Sequence, residues 1–249
     1  MDHIYLVVIL GAVAAGLVQG ISGFAFGLVA MSFWAWVLDP RLAATLAVFG
    51  ALFGQILAVV TTRRGFDLKL LIPFILGGLA GIPIGVKILP HLDIDAFRAI
   101  LGGLLVLWCP AMLLATRLPK LEFGGRFGDG VAGLAGGIMG GIGGFTGTLP
   151  TLWCIIRGFP KDMQRGIIQN FNLSMLLVTM GTYLATGIVT SEMLPFFAVV
   201  ATAMIVPTLL GAKLYVGMTE AQFRQVVLGL LTLSGIALLA SAIPNLVWA

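Results

Sequence analysis

Residues 136–150 read Gly136-Gly-Ile-Met-Gly-Gly-Ile-Gly-Gly-Phe-Thr-Gly-Thr-Leu-Pro150 and lie inside a charge-free run from 130 to 156. A second glycine-rich stretch, Gly20-Ile-Ser-Gly-Phe-Ala-Phe-Gly27, interrupts the charge-free run 4–38. Inside a helix, each glycine is less favourable than alanine by about 1 kcal/mol. Both stretches are therefore predicted to be breaks in apolar helices.

The rest of the sequence predicts an all-α integral membrane protein. Of its 249 residues, 59% are apolar and 10% are charged, whereas a soluble domain carries about 25% charged residues. Eight charge-free runs account for most of the chain, and a helix needs roughly 20 apolar residues to span a bilayer. We expect a multi-pass protein of the inner (plasma) membrane.

The lengths of the two glycine-rich runs favour re-entrant hairpins. As one helix, run 4–38 would be about 50 Å long, whereas the hydrocarbon core is about 30 Å thick. A break in lipid is stable only where it is buried in protein or lines a wet cavity. We predict two re-entrant helical hairpins whose tips meet near the midplane. The alternative is tight helix packing through small residues, and it stays open at this point.

The two halves of the chain resemble each other. At an offset of 120, Gly16, Gly20, Gly23 and Gly27 match glycines of the second half, and at an offset of 126 the Lys-x9-Phe-Arg pattern of Lys87 recurs. This predicts a first repeat at 1–120 and a second at 121–249, within one membrane domain. The predicted elements are a hairpin at about 4–38 and helices at about 42–62, 68–90 and 96–116, then a hairpin at about 127–157 and helices at about 162–190, 192–214 and 220–241.

The distribution of basic residues predicts the topology. If each half makes a hairpin and three crossings, 11 of the 14 lysines and arginines lie on one side. The positive-inside rule makes that side cytoplasmic, so both termini are predicted on the non-cytoplasmic side. An odd number of crossings inverts the second half relative to the first, which is a common arrangement in secondary transporters.

The broken tips are predicted to bind an anion. A helix N-terminus presents unpaired N–H groups and a partial positive charge, and glycine lets a ligand approach the backbone closely. No Asp or Glu lies inside a charge-free run, which disfavours a cation substrate. Gln19 and Gln55 are expected to hydrogen-bond between helices. The predicted substrate-binding residues are Gly20, Ser22, Gly23, Phe24, Gly27, Gly140, Gly143, Gly144, Phe145, Thr146, Gly147, Arg165, Gln169 and Asn170.

Arg165 has two interpretations. It shares a helix face with Gln169, four residues later, and this face would form a polar substrate wall beside the second hairpin. Alternatively, Arg165 extends its side chain to the membrane interface and sets the topology.

The paired glycine-rich segments, each followed by a proline and a basic residue, resemble the sulfite exporter TauE/SafE family over nearly the whole chain. The second copy, Gly140–Pro150 with Gly158-Phe-Pro-Lys161, is the more typical. The resemblance implies a transporter of sulfur-containing anions: sulfite, thiosulfate, sulfoacetate or other organosulfonates. It also implies inverted repeats that hold the substrate at the glycine-rich hairpins.

We therefore expect a secondary transporter of a small sulfur-containing anion, with an anion channel of the same fold or a carboxylate transporter as alternatives. An enzyme is not expected, because His3 and His91 lie at run ends and no run holds a carboxylate pair. No cofactor, metal or nucleic-acid partner is predicted. The expected partners are the anion, the lipid bilayer and a coupling ion, either H⁺ or Na⁺, and a homo-oligomer stays open.

Overall fold

A computed structural model describes residues 2–23, 25–61, 67–115, 124–214 and 220–248, and these ranges are helical with no strand among them. The helices of the first half are α1 (Asp2–Ser22), α2 (Phe26–Trp34), α3 (Pro40–Thr61), α4 (Leu68–Ile88) and α5 (Ile94–Leu114). Those of the second half are α6 (Gly125–Gly143), α7 (Thr148–Ile156), α8 (Lys161–Ala185), α9 (Leu194–Leu214) and α10 (Glu220–Trp248).

Six described helices, α1, α3, α4, α5, α9 and α10, are long and apolar enough to cross a membrane. The prediction of an all-α membrane protein is therefore confirmed. The last helix extends to Trp248 rather than 241. The helix predicted at 162–190 ends at Ala185, because Gly187 adopts a φ of 71° just beyond it, and such a residue ends helices.

The chain breaks where both glycine-rich stretches were expected to break it. Gly23, with φ 82°, follows α1, and Gly144, with φ 77°, follows α6. A left-handed residue at this position stops the helix and is usually glycine. These two glycines are 121 residues apart, so the structural repeat differs by one residue from the offset of 120 that the glycine pattern suggested.

Each break turns the chain back along the helix it has just left. In the first hairpin, the Trp34 indole at the end of α2 donates to the Val7 carbonyl near the start of α1, at 3.2 Å. In the second, Arg157 after α7 donates to the Gly125 carbonyl at the start of α6, at 2.8 Å. Both segments therefore return to the level at which they began.

The helices of the two halves exchange partners. The first helix of each half packs along the fourth helix of the other, as α1 on α9 and α6 on α4, and the two last helices, α5 and α10, pack on each other. Equivalent helices of the two halves therefore have equivalent partners, as expected of a structural repeat. That the repeats are inverted in the membrane stays a prediction.

Glycines bring these exchanged helices into close contact. A Cβ on Gly137 of α6 would lie 2.1 Å from the Gly78 carbonyl oxygen of α4, and one on Gly20 of α1 would lie 2.2 Å from the Thr208 carbonyl oxygen of α9. Neither distance leaves room for a methyl group. Small-residue packing, the alternative to broken helices, thus accounts for a second set of glycines in the same segments.

We expect Gly137→Ala to lower the melting temperature of the detergent-purified protein. The added methyl group would push α4 and α6 apart, and overpacking of this kind destabilises by about 1–3 kcal/mol. Gly130→Ala on the same helix is the matched control, because its Cβ would meet only the Pro73 carbonyl oxygen, at 3.7 Å. Alanine favours a helix over glycine, so Gly130→Ala should melt at an equal or higher temperature. Equal melting temperatures for the two variants would contradict this packing.

Candidate functional site

The two hairpin tips meet in the interior of the protein. A Cβ on Gly27, in the first turn of α2, would lie 3.3 Å from the Gly144 carbonyl oxygen and 3.5 Å from that of Gly143. Each tip joins the C-terminus of a long helix to the N-terminus of a nine-residue helix. Two positive and two negative helix ends are thereby brought together.

Two glutamines hold the first tip. The Gln19 side chain accepts a hydrogen bond from the Phe26 N–H at 3.1 Å, and Gln55 of α3 donates to the Gly23 carbonyl at 2.6 Å. Both glutamines are at most 3% exposed. The Gln19 Nε2 is buried and has no hydrogen-bond partner in the described part of the chain. The expected hydrogen bond between helices is confirmed for Gln19, which joins α1 to α2, while Gln55 joins α3 to Gly23, the residue that follows α1.

The second tip leaves backbone donors free. The Thr148 N–H and hydroxyl both donate to the Phe145 carbonyl, and the Trp108 indole of α5 donates to the Thr148 carbonyl at 2.7 Å. Among the described residues, no group accepts from the N–H of Thr146, Gly147 or Leu149. The next residue, Pro150, has no N–H. The N-terminus of α7 therefore presents the unpaired amides expected of an anion site.

One face of α8 contacts both tips. A Cβ on Gly23 would lie 3.5 Å from the Gln169 Nε2, and one on Gly147 would lie 2.7 Å from the Asn172 Nδ2. The Asn172 Oδ1 accepts a hydrogen bond from the Thr146 hydroxyl at 2.9 Å. Residues three apart share a helix face, so α8 places two amide side chains, both at most 5% exposed, between the tips.

The structure brings most of the predicted site residues together at the tips. Gly23, Gly27, Gly143, Gly144, Phe145, Thr146, Gly147 and Gln169 lie there, with Ser22 beside them on the last turn of α1. Phe24 lies outside the described residues. The Phe145 ring packs over Gly143, where a Cβ would lie 2.6 Å from the ring, so Gly143 is required by this packing.

Three predicted residues have other surroundings, and a fourth, Gly140, borders the second tip. Gly20 contacts the α9 backbone. Gly140 packs on the Thr146 methyl group, which a Cβ on Gly140 would approach to 2.5 Å. Asn170 donates to the Gly166 carbonyl at 2.8 Å and lines a cleft away from the tips. Arg165 is exposed in the first turns of α8, a position compatible with the membrane-interface alternative.

The cleft that Asn170 lines has a volume of about 250 Å³ and lies between the starts of α4 and α8. Its wall also contains Asp67 and Asp162, together with Leu71, Met163, Gly166 and Ile167. Asp67 is the N-cap of α4 and accepts hydrogen bonds from two of its first N–H groups. The acidic pair makes this cleft electrostatically unlike the tips, which are lined by neutral donors.

A buried ion pair closes the base of the second hairpin. Asp129 of α6 is 1% exposed and lies 3.2 Å from the Arg157 guanidinium, and it also accepts from the Trp153 indole at 2.8 Å. Asp129 comes one residue before the charge-free run 130–156. Nothing in the sequence indicated that this aspartate would be buried. The pair lies at the opposite end of α6 from the tip, so it fixes the hairpin without contacting the candidate site.

Asn172 and Trp108 are the tip residues that sequence reasoning left out of the site. The signal for Asn172 was present, because an amide inside an apolar helix needs a partner, but its direction depends on the rotation of α8. No cluster of three or more His, Cys, Asp or Glu side chains suited to a metal occurs in the described part of the chain.

We expect Asp129 and Arg157 to be energetically coupled. Asp129→Asn and Arg157→Gln should each lower stability, because each leaves a buried group without its charged partner. The double variant should lose less than the sum of the two, by about 0.5–3 kcal/mol. Chemical unfolding in detergent measures this cycle. The same cycle on the more exposed pair Asp95 and Arg98, 3.6 Å apart, is the control and should show little coupling. Additive losses at Asp129 and Arg157 would show that the pair does not hold the hairpin.

The comparisons with known proteins agree with this architecture. The family model described as "Sulfite exporter TauE/SafE" matches residues 8–238, a range that includes both hairpins and both tips. No curated protein and no solved structure matches the chain significantly. With a family match over nearly its whole length and six helices suited to crossing a membrane, the chain belongs to the sulfite exporter TauE/SafE family of membrane transporters.

Proposed function

We propose that the protein is a secondary transporter that moves a small sulfur-containing anion across the inner membrane. Sulfite, thiosulfate and organosulfonates such as sulfoacetate are the candidate substrates, and backbone amides of the two tips hold the anion near the midplane. The observation that supports this most is the second tip, where the free N–H groups of Thr146 and Gly147 lie beside the Asn172 side chain.

The donors at the tips suit the oxygen atoms of a sulfur oxyanion. A sulfite or sulfonate group presents three oxygens, each of which accepts hydrogen bonds, and they diverge from one sulfur atom. Thr146 and Gly147 supply adjacent backbone N–H groups on one side. The Asn172 Nδ2, which lies beside Gly147, and the Gln19 Nε2 at the other tip are the side-chain N–H groups that would donate to the anion. Preorganised donors of this kind bind an anion without the large desolvation cost of a buried ion pair.

The exchange of helices between halves suits alternating access. Helices α3 and α8 pack on each other and contact both tips, through Gln55 and Val48 of α3 and through Gln169 and Asn172 of α8. A movement of one half against the other would shift these contacts from one tip to the other. Secondary transporters built from repeats hold their substrate at such an interface.

The charge distribution supports the proposed orientation. Several helix ends meet at the end of the bundle where α1 starts. Tyr5 of α1 stacks on Phe196 of α9 there. At the same end, Arg41 donates to the Pro90 carbonyl and Asn245 donates to Asp95. Most of the lysines and arginines in the described ranges lie at the other end, which we take to be cytoplasmic. Both termini would then be non-cytoplasmic, and the second repeat would be inverted relative to the first.

We expect reconstituted protein to release sulfite or an organosulfonate from liposomes, and we expect Asn172→Asp to abolish this flux. The substitution keeps the shape of the side chain but adds a negative charge beside the α7 N-terminus. At about 5 Å and an effective dielectric constant of about 20, that charge repels a bound anion by about 3 kcal/mol. Anion affinity, measured by thermal shift, should fall at least about tenfold.

The control is Gln225→Glu, which adds the same charge at an exposed position on α10 and should transport like the unmodified protein. Saturation of flux with substrate, and accumulation against a gradient, would distinguish a carrier from a channel of the same fold. Unchanged affinity in Asn172→Asp would remove the tip from the binding site. Flux of simple carboxylates without flux of any sulfur anion would overturn the proposed substrate class.

A further inference from the structure

The tips contain no charged side chain. Residues 16–30 and 136–150 include no Asp, Glu, Lys, Arg or His, so this holds for the whole of both segments. Asp129 is the one charged side chain in the buried core of the described ranges, and its partner Arg157 lies beside it at the far end of α6. An anion at the tips is therefore neutralised by dipoles and hydrogen bonds alone.

Those dipoles compensate about one elementary charge at most. Each helix N-terminus carries about half a positive charge, and two of them, at Phe26 and Thr148, start at the tips. The C-termini of α1 and α6 bring partial negative charges to the same place. The Gly143 and Gly144 carbonyl oxygens already lie against Gly27 in the first turn of α2, which reduces the positive field there further.

The free side-chain donor at the first tip is neutral as well. Gln19 Nε2 is buried and has no partner among the described residues, while the oxygen of the same amide accepts from the Phe26 N–H. A buried donor without a partner is destabilising, so this group is suited to meet an acceptor atom of a ligand. It adds a hydrogen bond to the site and no formal charge.

We propose that the site binds its substrate as a monoanion. This rests on the proposed function and narrows its substrate class. A sulfonate with one negative charge, or sulfite in its protonated form, hydrogensulfite, matches the compensation that the tips offer. A second negative charge in the apolar interior would have no counter-charge and would be strongly disfavoured. Sulfite then crosses together with a proton that the substrate itself carries.

The test is a binding titration of the purified full-length protein at pH 6, 7 and 8, read as a thermal shift. Four ligands are compared. Methanesulfonate is a monoanion throughout this pH range, whereas sulfate and sulfoacetate are dianions. Sulfite changes from monoanion to dianion near neutral pH, when hydrogensulfite loses its proton. Methanesulfonate serves as the internal control for any effect of pH on the protein itself.

We expect methanesulfonate affinity to change less than about twofold with pH, and apparent sulfite affinity to fall towards about tenfold per pH unit once hydrogensulfite is the minor form. Sulfate and sulfoacetate should bind at least about tenfold more weakly than methanesulfonate. Sulfite affinity that is constant or rises with pH, or tighter binding of sulfate or sulfoacetate, would overturn the monoanion proposal and leave the proposed function standing. Binding of none of the four ligands would contradict the proposed function itself.

A variant checks the same inference independently. Gln169→Lys adds a positive charge beside the first tip and should raise sulfate affinity relative to methanesulfonate by at least about tenfold. Gln169→Met, of similar length and without charge, should leave that ratio unchanged. An unaltered ratio in a folded Gln169→Lys protein would show that charge at the tips does not set the preference.

Discussion

The fold depends on what happens to backbone polar groups where an apolar helix stops. In hydrocarbon, each N–H or C=O group without a partner is costly, so an interrupted helix needs protein or water around its ends. Here the interruptions at Gly23 and Gly144 face each other, and the helices α3 and α8 enclose them. The Gly23 carbonyl at the first tip accepts from the Gln55 amide, whereas the Thr146 and Gly147 N–H groups before α7 have no acceptor among the described residues.

Glycine serves two separate purposes in the same segments. Gly23 and Gly144 stop helices by adopting a left-handed backbone conformation. Gly20 and Gly137, on regular helices, let α1 approach α9 and α6 approach α4. The second purpose supports the first, because the close packing of exchanged helices fixes the long arm of each hairpin and so positions its tip. A glycine-rich segment can therefore pack tightly along its helices and leave backbone groups accessible only at the breaks.

The sequence predicted the helical membrane fold and both breaks, because apolar run length and glycine density are local properties. It also predicted that the tips present backbone and hydroxyl donors, but it placed Arg165 in the same site, whereas Arg165 is exposed in the first turns of α8. It did not predict that Asn172 rather than Asn170 reaches the second tip. The two side chains point about 200° apart around α8, and only packing fixes the rotation of the helix. The burial of Asp129 was missed for a similar reason, since Trp153 and Arg157 come from a different helix and its end.

If the amides at the hairpin tips hold the anion, a bound anion must lie within hydrogen-bonding distance of them. Crystals of the protein grown with selenite, the anomalously scattering analogue of sulfite, test this directly. We expect an anomalous difference peak within hydrogen-bonding distance of the Thr146 and Gly147 N–H groups and the Asn172 amide. A peak beside Arg165 or in the cleft near Asp67, with none between the tips, would contradict it.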